Sequence, residues 1–550
     1  MAYSISGLLH PDSMPRKVVI VLAGAACMCF LVYGTFYAKQ QLFGSTPAVY
    51  ATVTGLRYAI DTLAAMFEYE GSRLIGSAAG AFGIGGKPSA SLPNEGPART
   101  IPVLTYHRVV SDSNDLNNVT ISNFRDQMRA LKKAGWSTVT LSEFEEFMQG
   151  ERELPQKSFL LTFDDGAKES FYPVDPILRA LGFNASIFII VRSSETPEST
   201  YYLSPEEIKQ LLSSGRWSIG SHSYDGHQPN PAENGGEGVF FADKMWLEAA
   251  GRLETDAEFR TRVRGDLARA KSALETRYSV PIYSLAFPLG NETGIEGAAN
   301  FPEGSEITED EARGIYEFGF IQTENQTYTA NFPRSSESSA HLANDFLVRR
   351  IHVDHDWDGE RLLTIMENSL PKQLPFEDDF REQKGWLLSW GTLESGRNNF
   401  VLTASNDRTS ASAFLDGSAL WDDYSFDVAA NWQGGHAFLL ADVVDSRTYD
   451  ACAFSPGSVR VQRTVHGVTT TLAEKKDERI QYGENARLGI RAHGSVIECT
   501  WGFQSIVEMY DRNTTGGVGI QIWDPELGKA RVQVSSVIAR PYVGTSTESE

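Results

Sequence analysis

Apolar positions along this chain follow three regimes. Val18 to Ala38 is an unbroken run of 21 residues without a charge, long enough to cross a hydrocarbon core. From residue 98 to about 370, short apolar runs alternate with segments of helical period. Phe124 to Ala134 predicts a helix, Ser137 to Leu141 a strand, and Ser142 to Gln149 a helix opening on a Ser142 cap. Lys157 to Phe163 then predicts a buried parallel strand, followed by a helix through Pro176 to Gly182 and a strand at Ala185 to Val191. A helix over Pro205 to Ser214 and a strand at Trp217 to Gly220 come next. This alternation predicts an α/β domain whose parallel sheet is closed, or nearly closed, into a barrel. After about Pro371 the helical period disappears. Short alternating runs take over at Ser425 to Val428, His436 to Leu440, Ser458 to Gln462 and Gly517 to Ile522, which predicts an antiparallel all-β sandwich.

The organisation expected is therefore a cytoplasmic N-terminus (1–17), a transmembrane signal anchor (18–38), a stalk (39–97), an α/β domain (98–372) and a β-sandwich (373–550). Arg16 and Lys17 stand before the apolar run and Lys39 alone follows it, so the downstream part is expected outside the cytoplasm. A cleaved signal peptide is the alternative, but Tyr33 to Lys39 offers no good small-x-small site. In the stalk, Tyr50 to Leu74 carries an intermittent helical pattern, and Gly76 to Pro97 has the Gly, Ala, Ser and Pro content of a tether. A polar stretch from Gln228 to Ala257 reads either as a groove wall or as a surface loop.

Acidic residues number 71 against 49 basic ones, which argues against nucleic acid or an anionic membrane surface as partner. Four cysteines exclude a disulfide scaffold and a cysteine-based zinc site. Cys27 and Cys29 lie in the apolar run, leaving Cys452 and Cys499, which either pair after export or stay as two buried thiols.

The chemistry concentrates in two segments. Thr162-Phe163-Asp164-Asp165-Gly166 puts two acids at the C-terminal end of a predicted strand, where α/β folds place reacting groups. His222-Ser223-Tyr224-Asp225-Gly226-His227 follows the strand at Trp217. Two histidines five apart would face about 140° away from each other on a helix, so they read as loop ligands. One carboxylate with two imidazoles and open positions suits zinc or a similar first-row ion in hydrolysis. Taken alone, Asp-Asp-Gly after a strand is often only a turn. Asp175 and Asp225 read as surface residues.

These motifs together resemble the NodB-type polysaccharide deacetylases, carbohydrate esterase family 4. The His-x4-His spacing is similar to that of the poly-N-acetylglucosamine deacetylase branch. Pro102 to Val109, Asp266 to Lys271, and Ala286-Phe287-Pro288-Leu289-Gly290 also fall in the family's order, over roughly residues 100 to 360. The resemblance implies a distorted (β/α) barrel and a divalent metal on Asp165, His222 and His227, zinc first, with cobalt, nickel or iron as alternatives. It implies Asp164 as general base, His107 as the acid for the departing amine, and an oxyanion donor near Pro288 and Leu289. The implied substrate is an N-acetylated polysaccharide. Two departures stand out: Leu289 replaces an aromatic, and no arginine precedes Phe287-Pro288 to orient Asp164. Arg349 or Arg350 is the candidate replacement, and His352 an alternative acid. Phe376 to Phe380 with Leu420 to Tyr424 resembles concanavalin- or laminin-G-like jelly rolls. Six tryptophans there (Trp386, Trp390, Trp421, Trp432, Trp501, Trp523) read as core or as platforms for sugar rings. A degenerate glycan-binding protein, or a surface interaction protein with the barrel as scaffold, are the competing classes. The retained acid and imidazole set speaks against both.

Overall fold

The computed structural model describes Tyr58 and residues 96–542, apart from 113–114, 116, 196–198, 292–293, 296–299, 323–329, 335–345, 383, 397–398, 405–408, 513–515 and 526–529. The predicted span at 18–38 and all of the stalk but Tyr58 and its last two residues lie outside the described residues. Among the described residues no helix is long and apolar enough to cross a membrane.

Seven strands of the first domain's ten-stranded sheet form a parallel ring: β1 (Ile101–Tyr106), β2 (Ser158–Phe163), β3 (Ala185–Ile189), β4 (Trp217–Ser221), β5 (Ser284–Asn291), β6 (Phe318–Gln322) and β7 (Leu347–His352). Each pairs in parallel with its neighbours, and β1 pairs with both β7 and β2, so the sheet closes on itself. All six positions of β1 and of β2 are buried, as a barrel wrapped by helices requires. Alternate residues divide between two cores. Leu104, Tyr106, Leu161 and Phe163 pack outward against the helices. Val103, Leu160 and Val348 pack with Phe188 and Phe320 in a second cluster. Counting on by twos from these last residues leads to His107, Asp164 and Arg350, so the same face turns polar towards the C-terminal rim.

Helices follow the strands: α1 (Ile121–Lys133), α2 (Leu141–Met148), α3 (Asp175–Leu181), α4 (Pro205–Ser213), α5 (Asp256–Tyr278), α6 (Gly304–Arg313) and α7 (Gly359–Asn368). The cap of α2 is Thr140, not Ser142 as the sequence pattern suggested. Thr140 accepts from the Glu143 amide while the Glu143 side chain reaches back to Thr140, a reciprocal box that starts the helix one residue earlier. Asp175 is likewise not a surface residue. It is fully buried at the start of α3 and accepts from Arg216, from Trp217 Nε1 at 2.8 Å and from Tyr58 Oη at 2.6 Å. Asp225 is half-buried and paired with Arg192.

From Phe376 the chain is all-β, in two antiparallel sheets of eight and seven strands that share one core. Cys452 lies in one sheet and Cys499 in the other; they are joined by a disulfide, which decides between the two readings left open by the sequence. Trp421 and Trp432 are buried in this core, whereas Trp523 is 40% exposed.

The disulfide closes a 47-residue separation. Replacing both cysteines by alanine is expected to lower the sandwich's unfolding free energy by ~2–4 kcal/mol, read by denaturant titration. A second prediction concerns Glu145 on α2, which accepts from Ser284 Oγ at 2.6 Å. Burial pushes its carboxyl up to about 7. Because the folded value lies above the unfolded one, ionisation works against folding. The penalty is absent below about pH 4.5 and grows until the pH passes 7. Glu145→Gln should therefore raise Tm above pH 7 and flatten its decline between pH 5 and 7.

Candidate metal centre

Strand β2 delivers two adjacent acids to different environments. The Asp164 amide donates to the Tyr106 carbonyl at 3.0 Å, which keeps that residue in the sheet and its side chain buried in the interior. Asp165 then takes φ 70° and Gly166 φ 77°, a left-handed pair that turns the chain out of the strand. Asp residues visit this region more readily than most, and glycine does so at no steric cost.

His222 follows β4 directly. Its amide donates to the Ile189 carbonyl at 2.9 Å, and its Nδ1 lies 2.8 Å from the Ala286 carbonyl on β5. A carbonyl only accepts, so Nδ1 carries the proton and Nε2 keeps its lone pair. Burial pushes this imidazole down to about 4, so it is neutral at pH 7. The loop to His227 is braced from several sides. Asp266 on α5 accepts from the amides of Tyr224 at 3.0 Å and Asp225 at 2.8 Å, and Ser223 Oγ accepts from that of Gly226. Burial pushes the Asp266 carboxyl up to about 6 against those two donors.

Three ligand atoms converge as a result. His227 Nε2 is 3.2 Å from His222 Nε2, and Asp165 Oδ1 is 3.6 Å and 3.5 Å from these nitrogens. A tetrahedral site with bonds of ~2.0–2.2 Å has ligand–ligand edges of roughly 3.3–3.6 Å. Asp165, His222 and His227 are also the only group of this kind among the described residues. The donor set and its spacing fit a divalent cation.

Beside this cluster Asp164 meets Arg350, not Arg349. Arg350 on β7 donates to both carboxylate oxygens, at 2.6 Å and 2.8 Å, and both side chains are buried. Burial alone would raise the Asp164 carboxyl. Arg350 first, then His222 and His107, outweigh it and hold the group well below the usual carboxylate range. Arg349 turns the other way, donating to the Val444 carbonyl of the sandwich. His107 lies just past β1 with its ring centroid 5.4 Å from that of His352. Its Nδ1 is buried and makes no hydrogen bond among the described residues, and burial lowers its pKa against the pull of Asp164 and Asp165. Pro288 and Leu289 lie in β5 beyond the Ala286 carbonyl that holds His222; Leu289 has φ 56° and a side chain 47% exposed.

The polar stretch after His227 is packed against the barrel domain. Its Phe241 is fully buried, and a Cβ on Gly226 would fall 2.1 Å from that ring. Arg262 on α5 holds the same stretch through the carbonyls of Phe240 and Asp243. Sequence reasoning did not assign Asp266 and Phe241 a role at the site. The motif containing Asp266 was visible, but its backbone partners lie more than forty residues away.

Residues 151–300 match the family model described as polysaccharide deacetylase. The chain is 25% identical over 214 residues to the poly-beta-1,6-N-acetyl-D-glucosamine N-deacetylase of Escherichia coli (strain K12), covering 36% of this chain and 32% of that protein. The protein of the same name from Staphylococcus aureus (strain MRSA252) is 27% identical over 140 residues, 22% of this chain and 48% of that one. The chain thus spans about a third and about half of these relatives' lengths. Among solved structures, a de-N-acetylase from Aggregatibacter actinomycetemcomitans aligns at 18% identity and TM-score 0.40, over 48% of this chain and 98% of that one.

Gly226→Ala should push the loop off Phe241 and displace His227. A clear loss of affinity for divalent cations with little change in circular dichroism is the expected outcome, measured by competitive chelation.

Proposed function

We propose that the barrel hydrolyses N-acetyl groups on an exported, poly-N-acetylglucosamine-like polysaccharide. The observation that carries this reading is the three-ligand cluster of Asp165, His222 and His227 beside a carboxylate pinned by a buried arginine, at the C-terminal rim of a parallel barrel. The relatives' printed substrate, poly-beta-1,6-N-acetyl-D-glucosamine, supports the polymer class.

A divalent metal on Asp165, His222 and His227, zinc before cobalt, nickel or iron, would polarise the acetyl carbonyl and lower the pKa of water. Asp164 takes the proton of the attacking water. Arg350 keeps it ionised and fixes its direction, since each carboxylate oxygen has a second lone pair free of the guanidinium. The backbone at Leu289 offers an N–H to the charge that develops on the former carbonyl oxygen. His107 gives a proton to the departing amine; the Asp164 and Asp165 carboxylates offset part, not all, of the lowering that burial imposes on its pKa.

Two features support export. The apolar run at 18–38 would anchor the chain, and a disulfide across the sandwich belongs to an oxidising compartment. The sandwich reads as a jelly-roll module that holds glycan for the barrel.

Purified protein should release acetate from N-acetylated glucosamine polymers, and a chelator should stop it. Asp165→Ala and His222→Ala are expected to lose bound zinc together with activity, whereas Asp164→Asn should keep its metal and lose ~10²–10⁴-fold in kcat. Near-normal metal content in the first two variants would sink the ligand assignment. Metal loss in the third would mean the two acids exchange roles.

A further inference from the structure

We propose that the cleft between barrel and sandwich binds the polysaccharide alongside the catalytic centre, so that the two domains form one continuous groove. This rests on the deacetylase reading for the identity of the chain. The cleft has a volume of about 790 Å³. That lies in the range of sites that enclose small organic ligands, enough for a short run of sugars. Its barrel side is α7 and the loop before it, including Asp354 and Arg361; its sandwich side includes Phe380, Trp386 and Leu388.

Continuity with the catalytic centre comes through Asp354. It lines the cleft, and its Oδ1 lies 3.6 Å from His352 Nδ1. The His352 ring packs against His107. These two contacts link the lining of the cleft to the residues beside the metal centre.

The lining fits a sugar chain better than the alternatives. Trp386 is held by Nε1 donating to Asp378 at 3.0 Å and by the Phe400 ring at 5.1 Å, which leaves a fixed aromatic wall. Leu388 is 37% exposed. Across from them Arg361 sits 5.1 Å over the Trp357 ring with Asp354 and Glu360 nearby, and Lys384 adds a positive charge on the sandwich side. Sugars present apolar ring faces and many hydroxyls, which such a mixture satisfies. A lipid would leave these charges unpaired, and a polyanion would meet the carboxylates.

The groove is also preformed. The Lys372 amide donates to the Gly417 carbonyl at 2.8 Å, and Trp421 Nε1 donates to the Lys372 carbonyl at 2.8 Å. A Cβ on Gly417 would lie 2.3 Å from the Leu370 carbonyl oxygen, so linker and sandwich are in close contact.

The test measures binding apart from turnover, by titration calorimetry of N-acetylglucosamine oligomers on the full chain carrying Asp164→Asn. Adding Arg361→Ala with Lys384→Ala should weaken a six-sugar oligomer about five-fold and leave a two-sugar oligomer unchanged. Leu388→Glu, on the sandwich wall opposite Arg361, should reproduce the length-dependent loss. Unchanged six-sugar affinity in both variants would overturn the proposal. If the wild-type chain binds six sugars in this length-dependent way but never releases acetate, the deacetylase reading fails and the cleft stands.

Discussion

The arrangement around the site depends on one buried ion pair. Asp164 and Arg350 are both shielded from solvent, and β1 stands between the strands that carry them. Neither charge is tolerable there without the other. Removing one partner from such a pair typically costs ~3–5 kcal/mol, because an uncompensated charge stays behind. The pair ties the ends of β2 and β7 across the barrel interior and leaves Asp164 ionised at any ordinary pH. It also divides labour between neighbouring acids. With Asp164 committed to the guanidinium, Asp165 is the one free to face the two imidazoles.

A second layer keeps those imidazoles in place, and it comes from far along the chain. The Ala286 carbonyl sets the His222 tautomer, Asp266 collects two loop amides, and Phe241 fills the space beneath Gly226. These contacts bring β5, α5 and the segment after His227 to one loop of six residues. The site is rigid because its supports are backbone groups and a packed ring, which have few alternative positions.

Much of this was legible in the sequence, for identifiable physical reasons. In the barrel most strands and helices appear within a residue or two of their expected bounds, because burial dictates both period and element, whereas the first helix starts three residues earlier and the sandwich strands run up to five residues longer. The acids and histidines were legible because loop ligands at strand ends must be polar where the strand is not. What stayed hidden depends on partners remote in sequence. Asp175 looked like a surface acid because Arg216 and Trp217 lie 41 and 42 residues away. Arg349 and Arg350 could not be separated without knowing which face of β7 looks inward. The cysteine pairing needed the two sheets to be stacked. Thr140 displaced Ser142 as a cap through the reach of Glu143, a purely local effect that the pattern of apolar residues does not record.

The left-handed backbone at Asp165 restricts how this centre can change over evolutionary time. Only short polar residues such as Asp and Asn reach φ near 70° without a sizeable penalty, roughly 1–2 kcal/mol for other side chains. Glutamate, histidine or cysteine at this position would have to bear that strain as well as reach a new ligand position. His222 and His227 carry no positive φ. Backbone strain therefore limits substitution at the carboxylate position and adds no such limit at the two imidazole positions.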